Sequence, residues 1–391
     1  MKRIKIGLLG KIAIAIVLGI AAGFLLPGCC IRALNTFRDI FGQLIRFFVP
    51  LIVIGLVTPA IADTGRSAGR MLLMTMVIAT ISTIFAGYYS YFMSVNVLGR
   101  LIGGGTVATV AAGKDFPTYF HIGIPPIADI VTSLVLSFLV GLGIVATKAE
   151  RLAALFSEFR DIVGYGIEKA VVPFLPLYVL SVVGDITACG KLASVAGPAV
   201  KIMICCICFT TILLLIQYTV AGLIAKRNPL KALWTMLPAY LTGWGCCSSA
   251  ATIPVTLRQT LANGVSRETA DLVIPLCSSV HLAGSMCNMV AYAAGVIFMF
   301  SETPDLLHFT PYIFMLSVVA IASPGVPGGV VLASAAIVES TLGFTPERYA
   351  LIVAMYMALD GMGTACNLTG DGAIAIVVDR LRGERVKKVK G

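Results

Sequence analysis

The chain of 391 residues is 58% hydrophobic and only 12% charged, and its mean hydropathy is +0.95. Soluble domains carry about 25% charged residues, so this composition excludes an ordinary soluble fold. The net charge of +10 does not indicate a nucleic-acid partner, because the basic residues lie in short segments between long apolar runs. We expect an all-α membrane protein that lies in the lipid bilayer.

Eight apolar stretches are long enough to cross a bilayer as helices, which takes about 20 residues each. Residues 101–126 contain a glycine triplet and a proline pair and are predicted to form a loop. Residues 149–170 have the pattern of an amphipathic helix that leads into the fifth span. The predicted spans are 7–27, 42–62, 71–99, 127–147, 165–186, 202–225, 268–301 and 349–378.

Two other apolar stretches are interrupted near their middle. Residues 232–262 are broken at 243–250, and residues 309–340 are broken at 323–329 by glycine and proline. Each half has roughly 10–14 residues, which is too short to span and long enough for one arm of a re-entrant hairpin. Irregular backbone at membrane depth persists only beside protein or a watery cavity, so both hairpin tips are expected to line a site.

Short basic segments mark the cytoplasmic side of a membrane protein. The first interrupted stretch has basic residues at both ends, whereas the second lies between Glu302 and Glu347. The first hairpin is therefore expected to enter from the cytoplasm and the second from outside. With eight spans, both termini are then cytoplasmic, and we expect the protein in the inner (plasma) membrane.

The C-terminal region contains an internal repeat. When the chain is shifted by 79 residues, the segment Gly284–Asn288 aligns with Gly363–Asn367, and the two hairpin tips also coincide. One copy is entered from inside and the other from outside. Such inverted repeats with paired broken segments indicate a transporter site near the bilayer midplane.

Four polar residues of the last span share one helix face. At about 100° per residue, Asp360, Thr364, Asn367 and Asp371 lie at roughly 0°, 40°, −20° and 20°. Ionisable groups at membrane depth usually mark a ligand or ion path, and the alternative is a pair of carboxylates hydrogen-bonded between helices. The repeat makes His281 equivalent to Asp360, which leaves His281 as a structural histidine, a proton carrier or a fixed group beside the ligand.

These motifs resemble the dicarboxylate/amino acid:cation symporters, the bacterial relatives of the glutamate transporters. The resemblance is carried by the run Ser248–Arg258, by Gly325-Val-Pro-Gly-Gly329, and by Asp360 with Asn367-Leu-Thr-Gly-Asp371. It implies a homotrimer that works by an elevator movement. The scaffold would be 1–70 (spans 1–2) and 106–190 (spans 4–5), and the transport domain 71–105 (span 3) and 191–391 (span 6, both hairpins, spans 7 and 8).

The resemblance also implies roles for single residues. Asp360 would hold a substrate amino group and Asn367 its α-carboxylate, aided by the hairpin tips. The substrate-binding residues would be Ser248, Ser249, Val326, Pro327, Gly328, Asp360, Gly363, Thr364 and Asn367. One sodium ion would bind Cys277, His281, Asn367 and Asp371, partly through backbone carbonyls, and a second would bind Ser279, Leu282 and Ser323.

Three departures from the family pattern affect the predicted cargo. The positions where acidic-substrate members carry an arginine are Gly363 and Cys247 here, so no cation of the motif can pair with a side-chain carboxylate. Ala283 replaces an aspartate that anchors another sodium ion, so fewer sodium sites are expected, and His281 could supply a proton instead.

The sequence therefore predicts a sodium- or proton-coupled symporter for a neutral amino acid, either small or with a side chain that fills the space above Gly363. The alternatives are a symporter for acidic amino acids or C4-dicarboxylates and, from another class, a membrane-embedded sensor or enzyme. Ser249 with His281 is the only candidate catalytic pair, and neither lies in a catalytic motif. We expect no enzyme and no cofactor besides coupling ions.

Overall fold

A computed structural model describes residues 8–59, 61–62, 70–102, 116–128, 130–190, 192–321 and 328–390. Within these ranges the secondary structure is helical, with turns and short extended connections and no strand. The all-α prediction is confirmed for this part of the chain. Three predicted site residues, Ser323, Val326 and Pro327, lie outside the described residues.

The helices in the first half of the chain correspond to the predicted spans 1 to 5. A π-helical turn, Val53–Val57, extends the second helix, and another, Ser94–Leu98, extends the third. Where a lead-in helix and a fifth span were predicted, α5 and α6 are joined by a π turn at Ile167–Val171 and a 3₁₀ turn at Val172–Phe174. The helices are α1 (Leu8–Leu25), α2 (Gly28–Ile52), α3 (Arg70–Met93), α4 (Ile130–Thr147), α5 (Glu150–Gly166) and α6 (Leu175–Ala188).

The second half contains one long helix, a group of three shorter helices, a broken helix, a second group of three shorter helices and a final long helix. The helices are α7 (Leu192–Ala225), α8 (Pro229–Thr235), α9 (Leu237–Cys246), α10 (Ser249–Ala262), α11 (Arg267–Val280), α12 (Ala283–Met299), α13 (Leu306–Ile321), α14 (Gly329–Ala333), α15 (Ala335–Leu342) and α16 (Pro346–Lys390). At both predicted hairpins the two arms pack on each other, α9 on α10 and α13 on α15.

The seventh predicted span, 268–301, is not one continuous helix. It divides into α11 and α12 because His281 and Leu282 leave helical geometry, with φ/ψ of −95°/102° and −121°/37°. The periodicity of the sequence gives no sign of this break, since no glycine or proline lies at residues 281–282. The break exposes helix ends in the protein interior, where their backbone groups can bind polar partners.

Burial separates central helices from peripheral ones. In the most apolar stretch of each long helical segment, 94% of the residues are buried for Arg267–Met299 and 83% for Pro346–Gly383. The corresponding values for Ser194–Ala225 and Met71–Ile102 are 39% and 28%. Because lipid-facing residues remain exposed on an isolated chain, α11, α12 and α16 form the core, with α3 and α7 packed around them.

The two central helices α12 and α16 cross at glycines related by the internal repeat. A Cβ atom added at Gly284 would lie 2.5 Å from Cβ of Cys366 and 2.6 Å from the carbonyl oxygen of Gly363. Only glycine permits this approach of two helix backbones. The crossing brings the polar residues on either side of it into one layer.

We predict that Gly284→Ala destabilises the protein by about 1–3 kcal/mol, the usual cost of overpacking a filled interior. The measurement is thermal unfolding of the purified protein in detergent. Gly143→Ala on α4 is the matched control, because a Cβ there meets no atom within 4 Å. Equal melting temperatures for the two variants would show that the crossing is not tightly packed.

Candidate functional site

The site begins at Asp360, which is buried in the middle of α16. Its Oδ2 atom accepts a hydrogen bond of 2.8 Å from the backbone N–H of Gly328, at the tip between α13 and α14. Gly328 has φ of +78°, and a Cβ there would lie 2.6 Å from Sδ of Met357. Glycine therefore allows both the left-handed turn and the close approach of the tip to α16.

The other short-helix pair reaches the adjacent residue of α16. A Cβ added at Gly361 would lie 2.3 Å from the carbonyl oxygen of Trp244 and 2.9 Å from Sγ of Cys247. Cys247 adopts the left-handed conformation that ends α9, and Ser248 is the N-cap of α10, accepting from the N–H of Ala251 at 3.4 Å. The described ends of the two short-helix pairs thus meet α16 at neighbouring positions, Gly328 at Asp360 and Cys247 at Gly361.

Asn367 fastens α16 to the beginning of α12. Its Oδ1 accepts from the N–H groups of Gly284 at 2.7 Å and Ser285 at 3.2 Å. Its Nδ2 donates to Oγ of Ser285 at 2.9 Å. Because the first N–H groups of a helix have no partner within it, Asn367 acts as a cap from a neighbouring helix. The other amide hydrogen of Asn367 has no acceptor among the described residues.

The side chains of Asp371 and His281 lie within ion-pair distance of each other in the core. Nδ1 of His281 lies 2.9 Å from Oδ1 of Asp371, and both side chains are 0% exposed. Nε2 of His281 lies 3.1 Å from Oγ of Ser82 on α3, which also accepts from Nε2 of Gln217 on α7 at 3.1 Å. A carboxylate can only accept, so Nδ1 carries a proton whenever Asp371 is ionised.

The predicted sodium ligands fit a cation in part. Oδ2 of Asp371 is buried and has no hydrogen-bond partner within the described part of the chain, and the carbonyl end of α11 carries the negative pole of that helix. The Cys277 carbonyl accepts the N–H of His281 at 2.8 Å and keeps one lone pair. In the second predicted set, Leu282 is buried and Ser279 is exposed.

Gly363 was predicted to open space for a substrate side chain. A Cβ added there would lie 3.2 Å from Nδ2 of Asn288 and 3.5 Å from Oγ of Ser285. Much of the volume beside Gly363 is therefore taken by two polar side chains of α12. Thr364, the remaining predicted residue of the stripe, is also buried.

Two site residues were missed by the sequence reasoning. The Tyr356 hydroxyl lies beside Asp360 and Ser285. Tyr356 lies four residues before Asp360, so the i, i+4 rule for helix faces could have identified it. Ser285 belongs to the repeated motif, and its contact with Asn367 could not be read from either helix alone.

The proposed catalytic pair of Ser249 and His281 finds no support in this geometry. Both ring nitrogens of His281 are engaged, one with Asp371 and the other with Ser82. Among the described residues, no cluster of three His, Cys, Asp or Glu side chains could hold a metal ion.

Long apolar helices around a buried polar site are typical of membrane transport proteins. The model of the sodium:dicarboxylate symporter family matches residues 8–381. The chain therefore belongs to this family, which confirms the predicted resemblance and identifies a transporter rather than an enzyme.

Two relatives of similar length come from Acinetobacter. The serine/threonine transporter SstT of Acinetobacter baumannii (strain AYE) is 24% identical over 412 residues, covering 96% of this chain and 97% of the relative. SstT of Acinetobacter baylyi is 22% identical over 405 residues, with 96% and 98% coverage. The neutral amino acid transporter B(0) of Bos taurus is 24% identical over 291 residues, covering 74% of this chain and 52% of the relative.

We predict that His281→Leu lowers stability by about 3 kcal/mol or more, because it leaves the buried Asp371 carboxylate without its partner. The double variant with Asp371→Leu should recover part of this loss, since no unpaired charge remains. Thermal unfolding in detergent measures both, with Ser82→Ala as the control for the weaker contact of about 1 kcal/mol. A His281→Leu variant as stable as the Ser82→Ala variant would refute the pairing.

Proposed function

We propose that this protein is a cation-coupled symporter that carries a small neutral amino acid across the inner membrane by alternating access. The observation that carries this proposal is the buried Asp360 carboxylate, bound by the N–H of Gly328 at a helix-pair tip. No lysine or arginine occurs on α16 from 349 to 379. A substrate ammonium is the group that would neutralise Asp360 at this depth.

The α-carboxylate of such a substrate has donors close by. The N-terminus of α10, capped by Ser248, lies at the tip that contacts Gly361, and helix N-termini favour anions. The free amide hydrogen of Asn367 lies less than two turns from Asp360 along α16. An amine site and an anion site on one helix face match the two ends of an amino acid.

The surroundings of Gly363 favour a substrate with a neutral side chain, because they offer no cation to pair with a side-chain carboxylate. Gly363 faces Asn288 and Ser285, which are uncharged, so an extra carboxylate would be buried without a cation. The names of the relatives, serine/threonine transporter and neutral amino acid transporter, agree with this choice. Acidic amino acids and C4-dicarboxylates are the competing cargo.

Asp371 is the proposed centre of cation coupling. Sodium is a hard cation that suits carboxylate and carbonyl oxygen, and the unpartnered Oδ2 of Asp371 with the carbonyl end of α11 would supply both. His281 could carry a proton at the same place. We propose sodium, a proton, or both as coupling ions.

The larger architecture is proposed from family membership. It comprises eight spans and two re-entrant hairpins, α9–α10 and α13–α15, with both termini in the cytoplasm. Spans 1, 2, 4 and 5 would form the scaffold of a homotrimer, and the remainder would move as the transport domain. The burial of α12 and α16 supports their place within that domain.

We expect liposomes containing the purified protein to accumulate radiolabelled serine or alanine when an inward sodium or proton gradient is imposed. Uptake should collapse when both gradients are removed, because the coupled cation supplies the driving force. Equal uptake with and without either gradient would contradict coupled transport and favour a passive carrier.

We expect Asp360→Asn to reduce uptake about 100-fold, which corresponds to the loss of roughly 3 kcal/mol from a charge-assisted contact. The asparagine oxygen can still accept from Gly328, so the fold should persist, whereas Asn367→Ala would also remove the cap of α12. Initial uptake rates at saturating gradient are compared with those of Asp305→Asn, an exposed control. Parental uptake by Asp360→Asn would contradict the assignment.

A further inference from the structure

Asn288 on α12 is a buried amide with unused hydrogen-bonding capacity. The residue is 2% exposed, and its Oδ1 atom has no hydrogen-bond partner among the residues that the structure describes. Buried polar groups in proteins are nearly always paired, and an unpaired acceptor destabilises the fold. An unpaired acceptor in the centre of the molecule indicates that a bound ligand supplies its hydrogen-bond donor.

The internal repeat explains why Oδ1 of Asn288 lacks the helix-end partners that its counterpart has. Asn288 is the repeat equivalent of Asn367, whose Oδ1 accepts from the free N–H groups at the start of α12. The groups that would serve Asn288 in the same way are the N–H groups of Gly363 and Thr364. They lie inside the continuous helix α16, where they bond to carbonyls one turn back.

The Asn288 amide lies against the substrate face of α16. Its Nδ2 is 3.2 Å from the position that a Cβ of Gly363 would occupy. Gly363 follows Asp360 by three residues, which is just under one helical turn. A ligand whose ammonium contacts Asp360 would therefore have its side chain within one turn of the Asn288 amide.

We propose that Asn288 determines specificity by hydrogen bonding the side-chain hydroxyl of a small amino acid. This inference rests on the proposed function and names its substrate class. A hydroxyl supplies the donor that Oδ1 lacks and can also accept from Nδ2. A methyl group offers neither, and a carboxylate has no hydrogen to donate. The side chains beside Gly363 leave room only for a short substrate.

The test compares uptake of serine and alanine by the parent protein and by Asn288→Leu in the same liposomes. The ratio of kcat/KM for serine to that for alanine should fall about tenfold in the variant, the effect of one neutral hydrogen bond. Alanine uptake itself should persist. If the Leu variant is not monodisperse in detergent, Asn288→Ala decides by the same ratio.

Thr260→Val is the matched control, because Thr260 is also buried, with an oxygen that lacks a partner among the described residues, but lies near the C-terminal end of α10. It should leave the serine-to-alanine ratio unchanged. A parental ratio in Asn288→Leu or Asn288→Ala would overturn the role of Asn288 while leaving neutral amino acid transport intact. Failure of the parent to take up either amino acid would instead overturn the proposed function.

Discussion

The backbones of α12 and α16 touch where Gly284 meets Gly363, and this contact sets the positions of the polar groups around it. Without side chains at the crossing, Asn367 can reach the first N–H groups of α12. The same approach places Asn288 and Ser285 against α16. The site is therefore a consequence of helix packing, and its polar groups also hold the two helices together.

The two buried carboxylates are satisfied by different means, which gives them different chemistry. Asp360 accepts from a backbone N–H and lies beside the Tyr356 hydroxyl, and neither group carries a charge. Asp371 lies beside an imidazole that can carry one. An uncompensated carboxylate attracts an ammonium, whereas a carboxylate beside a histidine and a helix C-terminus suits a small coupling cation. In the proposed function, this helix face would hold the cargo at Asp360 and the coupling ion at Asp371.

Much of this arrangement could be predicted from the sequence. The stripe from Asp360 to Asp371 and the 79-residue repeat place α16 opposite α12, since both signals depend only on spacing along the chain. The family that these motifs indicated is the one whose model matches residues 8–381.

The remainder depends on contacts between distant segments. The break at His281 and Leu282 has no local signal, yet it frees the N–H groups that Asn367 caps. The repeat suggested equivalent roles for its two copies, but α16 is continuous where the α11–α12 segment is broken. This asymmetry leaves Asn288 without the partners that Asn367 has. The side chains of Asn288 and Ser285 also occupy part of the space above Gly363.

The central claim is that the α12–α16 site binds a small neutral amino acid through Asp360. The most direct measurement is thermal unfolding of the purified protein against serine, threonine, alanine, aspartate, glutamate and succinate, each with and without sodium. A ligand at about 100 times its Kd stabilises the folded state by about 2.7 kcal/mol. The melting temperature should rise with the small neutral amino acids and stay unchanged with the dicarboxylates. Stabilisation by aspartate or succinate, with no response to serine or alanine, would contradict it.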